Sequence, residues 1–450
     1  MAKSFVTPFV LTLSVFFLFS CQPKPRTAEE VLSRIAIIDS IKPITNDSLF
    51  QSTYVVWFRM PIDHNNPNSP TFPLKIYYSH KDFNKPMVVV IDGYTMYTSR
   101  ANELSQILDA NQITIEHRFF DQSRPKDSIP WRYLNVRQAA ADQHMIIEAF
   151  KPFYKGKWVS TGISKSGQAT IFHRRFYPSD VDVSVPYVAP LNFSSEDPRV
   201  YDFLSKVGTD DCRKKIREFQ QALFEKKKEI FPMFEALAKR KNWEFKMGLD
   251  RAYDLSVLEY SFAFWQWGSS CENIPEKGSP AQILFLHWKM INPFTFFDEE
   301  DIEKTRPFFY QAMTEIGMYG YQVKPFSKFL KDTSNITFSF AMPTGHSAKF
   351  NPETMKDIDS WLKESGNNIL YIYGQNDAWS STAVDPGGKT NAVKMYNPGG
   401  SHSSRIYSFP AEMQDSIFTV LEQWLQVDLS SKKHQAGGGS TGSKNLFPIL

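Results

Sequence analysis

Apolar and polar residues alternate from Thr53 to Met60 and again from Phe72 to His80. This predicts two half-buried β-strands, with the turn-rich His64-Asn65-Asn66-Pro67-Asn68 between them. The next β-prone stretches are short, and the first of them is continuously apolar. Met87 to Ile91, Gln112 to Arg118, the run entering Gly162 and Val181 to Val188 are short segments of the kind found in a sheet covered on both faces. Helical spacing occupies Asn135 to Phe153 and Gln168 to Tyr177. Short buried strands alternating with helices predict an α/β fold around a parallel sheet.

That rhythm stops after Pro190. From Ser194 to Lys349 the chain is rich in Lys, Glu, Phe and Trp at helical spacing, most clearly over Arg213 to Lys239 and Leu255 to Trp267. Strand patterns resume at Asn368 to Gly374 and Ala392 to Tyr396, and a closing helix is expected over Ala411 to Gln426. The organisation read from these shifts is a signal segment over 1–20, then a tether and leader over 21–50 that is helical from Ala28 to Ile41. The α/β domain follows in two parts, 51–193 and 350–429, with a helical cap over 194–349 inserted between them and a flexible tail over 430–450.

Composition narrows the function classes. With 38 Phe, 19 Tyr and 10 Trp among 450 residues the chain can bury a large core, and a net charge of +3 with acids and bases interspersed argues against a nucleic-acid partner. Lys3 followed by the apolar run Phe5 to Phe19 reads as an export signal. Leu18-Phe19-Ser20-Cys21 fits a bacterial lipidation motif, which makes Cys21 the lipid attachment point and Gln22 to Pro25 a tether to the membrane; an ordinary secretory signal is the alternative. Gln22 after the cysteine points to the outer membrane, periplasmic side. The remaining cysteines, Cys212 and Cys271, permit one disulfide in an exported protein, provided that the fold brings their α-carbons within roughly 6 Å.

The candidate chemistry begins at Gly162-Ile163-Ser164-Lys165-Ser166-Gly167, where a strand meets a helix. This is how an α/β-hydrolase presents a nucleophilic serine, on a tight elbow between strand and helix. Ser166 takes the last place of the usual Gly-x-Ser-x-Gly and is a rival nucleophile. A serine hydroxyl needs a base, and the base an orienting carboxylate, in the chain order Ser, acid, His. Asp377 follows the strand ending at Gly374, and His402 follows the next one, within Gly399-Gly400-Ser401-His402. The other histidines precede the acid, lie in the insertion or fall in the tail. Ser164, Asp377 and His402 are therefore the expected triad. The amides of Lys165 and of Tyr94, the latter in Asp92-Gly93-Tyr94-Thr95, are the expected oxyanion donors. This set calls for no metal and no cofactor.

Pro61-Ile62-Asp63-His64, Glu116-His117-Arg118-Phe119-Phe120, Gly162-Ile163-Ser164-Lys165, Gly374 to Trp379 and Gly400-Ser401-His402 together resemble the secreted bacterial prolyl tri-/tetrapeptidyl aminopeptidases, relatives of lysosomal prolyl carboxypeptidase. The resemblance spans roughly residues 50 to 429. It implies a hydrolase domain with a helical cap, and removal of short peptides, often ending in proline, from free N-termini. Ser166 departs from it, since the family has glycine there. An exopeptidase needs a carboxylate for the substrate ammonium. Within Leu258 to Trp267, Glu259 is the candidate for it, with Phe262 and Trp265 as walls of a proline pocket; an aromatic core helix carrying one acid is the competing reading. Glu116 and Arg118 are expected to be structural ion-pair partners beneath the site. An esterase with the same triad and an inactive hydrolase-fold surface lipoprotein are the alternative functions, and the intact triad order speaks against the last.

Overall fold

The computed structural model describes residues 24–433 except 46, 293, 334 and 335. The apolar N-terminal run, Cys21 and the tail from His434 lie outside the described residues. One nine-stranded sheet forms, in the order β1-β2-β3-β5-β4-β6-β7-β8-β9. Its strands are Ile38–Ile44, Ser52–Pro61, Thr71–His80, Met87–Ile91, Asn111–Ile115, Trp158–Ile163, Val183–Tyr187, Leu370–Gly374 and Val393–Asn397. The first three strands and β5 pair antiparallel. From β5 across to β9 every pairing is parallel.

Alternation along each strand splits the core into two layers. Met87, Val89 and Ile91 of β4 pack with Ile146, Ile147 and Phe150 of the helix Val136–Phe150 on one face. Val88 joins Val159, Val185 and the closing helix Ala411–Leu425, through Ile417 and Leu421, on the other. This is an α/β-hydrolase sheet with helices on both faces.

The leader differs from the expectation of one helix from Ala28 to Ile41. Its helix ends at Ser33, and Ile38–Ile44 forms the edge strand on β2. Ala28, Val31, Leu32 and Ile35 are buried at helical spacing, but the chain leaves the helix at Arg34, and the mostly exposed strand accepts Pro43 because edge positions tolerate a missing donor. The leader thus packs on the domain through the helix Ala28–Ser33 and extends its sheet through Ile38–Ile44.

Between β7 and β8 the described residues form seven longer helices, Pro198–Lys206, Asp210–Glu225, Lys227–Lys241, Leu249–Trp267, Ala281–Ile291, Glu299–Gln311 and Glu353–Ser365. The stretch read as one helix over Arg213 to Lys239 is broken at Lys226, whose ψ is 18° and whose ammonium donates to the Ser279 carbonyl at 2.6 Å. The apolar spacing runs on through Leu223, Ile230 and Leu237 and does not signal the break. Cys212 and Cys271 are bonded, with α-carbons 5.4 Å apart and a separation of 59 positions in sequence. Closing a loop of that length removes unfolded-state entropy worth roughly 4 kcal/mol, and the bridge fixes the turn just beyond Trp267.

Candidate active site

The parallel strands deliver their following loops to one edge of the sheet, where sites in such folds gather. At the end of β6, Ser164 takes φ 60° and ψ −124° before the helix Lys165–Phe176 begins. A side chain in that conformation is strained, and its amide is held by the Tyr187 carbonyl of β7 at 2.9 Å. A Cβ at Gly162 would lie 2.2 Å from the Ser166 carbonyl oxygen. Only glycine lets the helix start fold back so closely on the strand.

The rival serine is otherwise engaged. Ser166 Oγ accepts from the Gly93 amide at 2.8 Å and donates to Asp92 Oδ1 at 3.0 Å. It ties the loop after β4 to the elbow, a role glycine could not fill. Burial pushes the Asp92 carboxyl up to about 6, against the lowering effect of the bonds from Ser166 and the neighbouring amides.

Asp377 and His402 meet. His402 Nδ1 lies 2.7 Å from Asp377 Oδ2, and the aspartate is wholly buried. Asp377 Oδ1 accepts the Trp379 amide at 3.1 Å, so both oxygens are directed. The two loops are knitted together: the Asn376 amide donates to the Gly400 carbonyl at 2.8 Å, and a Cβ on Gly374 would meet the Ser401 oxygen at 2.2 Å. Ser164 and His402 face a common pocket of about 390 Å³.

The pocket's other walls come partly from residues that sequence reasoning missed. Trp267, Trp379 and Phe308 supply apolar surface beside Tyr94 and Phe120, while Lys304 and Arg405 supply cations. The helix Leu249–Trp267 also holds the histidine loop directly. The Gln266 carbonyl accepts the His402 amide at 2.9 Å, and the Trp267 ring stands edge-on to His402 with centroids 6.0 Å apart.

Three expectations from that helix are not met on the pocket wall. Trp265 packs on the turn at Gly208, where a Cβ would lie 2.3 Å from its ring. Phe262 stacks on Tyr319 at 3.6 Å and meets the edge of Trp379 at 5.1 Å, one aromatic layer behind the wall. Glu259 is buried in the same layer, its carboxyl accepting from the Tyr319 hydroxyl at 2.9 and 3.0 Å. A helix apolar on nearly every face gives no periodic sign of which aromatic side faces the cavity. The Tyr94 amide also differs from its expected role, since it donates to Asp92 Oδ1 at 3.2 Å. Glu116 and Arg118 do not pair with each other. Lys75 lies 2.9 Å from Glu116, and Asp142 takes Arg118 in a two-pronged pair at 2.6 and 2.7 Å. Both are structural.

Burial raises the Glu259 carboxyl to about 8, against bonds from Tyr321 and Tyr319. An acid whose folded value is raised keeps a proton that the unfolded chain releases above about pH 4.5, so its stabilisation fades as pH rises from there to about 8. Glu259→Gln has no proton to lose. Between pH 5 and pH 7 its stability relative to wild type should rise by roughly 3 kcal/mol in urea unfolding. Parallel stability profiles would show that Glu259 is not held neutral.

A possible metal grouping of His144, Glu148 and Asp180 precedes β7, at the opposite edge of the sheet. The Lys151 ammonium lies 3.3 Å from Glu148 and 3.9 Å from Asp180, so a cation already serves those carboxylates.

Comparison with known proteins gives a consistent picture. The model of the PS-10 peptidase S37 family matches residues 26–436. The prolyl tri/tetrapeptidyl aminopeptidase of Streptomyces mobaraensis is 32% identical over 408 residues, covering 88% of this chain and 85% of that protein. A probable serine protease, EDA2, of Arabidopsis thaliana is 24% identical over 161 residues, 30% of this chain and 32% of its own. Among solved structures, the proline iminopeptidase of Mycobacterium smegmatis covers 86% of this chain and 99% of its own at 13% identity, with a TM-score of 0.41.

Proposed function

The chain belongs to the PS-10 peptidase S37 family and is a serine peptidase, and from that premise we propose that it releases tri- or tetrapeptides, with proline at the cleavage position, from free N-termini. The carrying observation is the His402–Asp377 pair at 2.7 Å opening on the pocket that holds Ser164. The named Streptomyces relative supports the substrate class.

In this reading His402 takes the Ser164 proton as Oγ attacks the scissile carbonyl, and Asp377 steadies the imidazolium. The tetrahedral intermediate collapses with loss of the amine, to which His402 returns the proton. Water then hydrolyses the acyl-enzyme by the same route. The Lys165 amide, at the first helical position where amides lack helix partners, points to one oxyanion contact. The apolar walls of Trp267, Trp379 and Phe308 suit a proline ring. Export, with Cys21 as a lipid anchor, remains part of the proposal, and the Cys212–Cys271 bond fits an oxidising compartment.

The test compares Ala-Ala-Pro-anilide, its N-acetylated form and p-nitrophenyl butyrate. The free tripeptide should turn over, and acetylation should lower kcat/KM at least about 100-fold through loss of a charged contact. Turnover of the ester alone would favour an esterase and end the peptidase reading.

A further inference from the structure

The loop after β4 is expected to complete the oxyanion hole with a backbone amide, but its first two amides are already in use. Gly93 N–H donates to Ser166 Oγ at 2.8 Å, and Tyr94 N–H donates to Asp92 Oδ1 at 3.2 Å. What this loop places in the pocket beside Ser164 is the Tyr94 side chain. Ser164 lies close enough to its hydroxyl to lower the phenol's pKa, an effect smaller than that of burial. The ring is fixed on two sides, edge-on to Phe120 at 6.0 Å and tilted on Phe308 at 5.6 Å.

The Lys165 side chain locks this arrangement from below. It is 4% exposed, and its amino group donates to the Gly93 carbonyl. The same nitrogen lies 5.2 Å from the Tyr94 ring centroid and 4.7 Å from that of Phe120. Burial holds the Lys165 amine well below the usual lysine range, against the raising effect of the Asp92 charge, so its part here is to pack under the ring and tie it to the Gly93 carbonyl. Burial, followed by the Asp92 charge, raises the Tyr94 phenol above its ordinary range, so it stays protonated at working pH.

We propose that the Tyr94 hydroxyl, rather than its amide, is the second oxyanion donor, and that Lys165 contributes twice, by its backbone amide as the first donor and by its side-chain amino group as a positioning group for Tyr94. The inference rests on Ser164 being the nucleophile. When Ser164 Oγ bonds to the scissile carbon, the carbonyl π electrons move to oxygen while the serine proton passes to His402. Tyr94 O–H donates to that oxygen without giving up its proton. On collapse the oxygen's electron pair reforms the carbonyl, the C–N bond breaks, and His402 protonates the departing amine.

The test is Tyr94→Phe, which keeps the ring and its packing. Loss of one such donor lowers kcat by about 10²- to 10³-fold, and KM for the tripeptide anilide should stay within a few-fold. A peptide aldehyde, whose adduct on serine carries the same oxygen, should weaken by a similar factor, while the product tripeptide binds unchanged. A kcat within about three-fold of wild type would overturn the proposal, as would equal losses for aldehyde and product. If Tyr94→Phe does not fold, 3-fluorotyrosine placed at position 94 keeps the hydroxyl and sharpens its acidity. A change in kcat with phenol acidity then supports the role, and no change overturns it. Fluorophosphonate labelling of wild type separates the premises. Absence of an adduct on Ser164 would defeat the nucleophile assignment itself, whereas an adduct with an indifferent Tyr94→Phe would defeat only the donor.

Discussion

Replacing Ser164 by alanine is expected to lower kcat on the order of 10⁶-fold, whereas Ser166→Ala should leave it within about ten-fold of wild type. The two serines are two residues apart and do different work. Ser164 sits in a strained conformation beside the pocket, its hydroxyl on the reactive side. Ser166 holds the Gly93 amide and the Asp92 carboxyl, so its loss leaves two polar groups short of a partner. That should cost about 1–3 kcal/mol of stability and only a modest part of the rate. The comparison is made by kcat on the tripeptide anilide together with urea unfolding of both variants. Full activity in Ser164→Ala, or collapse of kcat in Ser166→Ala with stability intact, would reverse the assignment.

Asp377→Asn is expected to lower kcat about 10⁴-fold with little change in KM. The wild-type carboxylate accepts His402 Nδ1–H at 2.7 Å and the Trp379 amide at 3.1 Å, and an asparagine amide can satisfy only the oxygen side of that pattern. Its NH₂ group facing Nδ1 would impose the wrong imidazole tautomer, leaving Nε2 protonated and unable to take the serine proton. Circular dichroism should show a folded protein, because the substituted group is nearly isosteric. A loss below about ten-fold would mean that the Asp377–His402 contact is structural rather than part of proton transfer.

The contrast between these two residues and Glu259 shows what a single sequence can carry. A strand ending in Gly374 followed by Asp377, and another followed by His402, are local patterns whose consequence is set by the fold, because parallel strands place every following loop on one edge. Ser164, Asp377 and His402 could be named from such patterns. The pocket wall could not. It is assembled from separate helices, Gln266 and Trp267 at the end of one and Lys304, Thr305 and Phe308 in the middle of another, and from Trp379 and Arg405 on the acid and histidine loops. Trp265 and Trp267 lie two residues apart on a helix that is apolar on nearly every side, and only the packing of Trp265 against Gly208 separates their roles. The edge strand Ile38–Ile44 was hidden for the opposite reason: it is short, largely exposed and stabilised by pairing with β2 rather than by a buried face. The Tyr94 amide illustrates a third limit, since whether a loop amide is free depends on the side chains that turn toward it.

The central claim is that this peptidase acts through an acyl-enzyme on Ser164. The most direct measurement is mass mapping of the folded wild-type protein after reaction with a fluorophosphonate. The account predicts one adduct per chain, on the peptide containing Ser164 and at that residue, abolished by Ser164→Ala and retained by Ser166→Ala. An adduct on Ser166, or an unmodified Ser164 in protein that cleaves the peptide substrate, would contradict it.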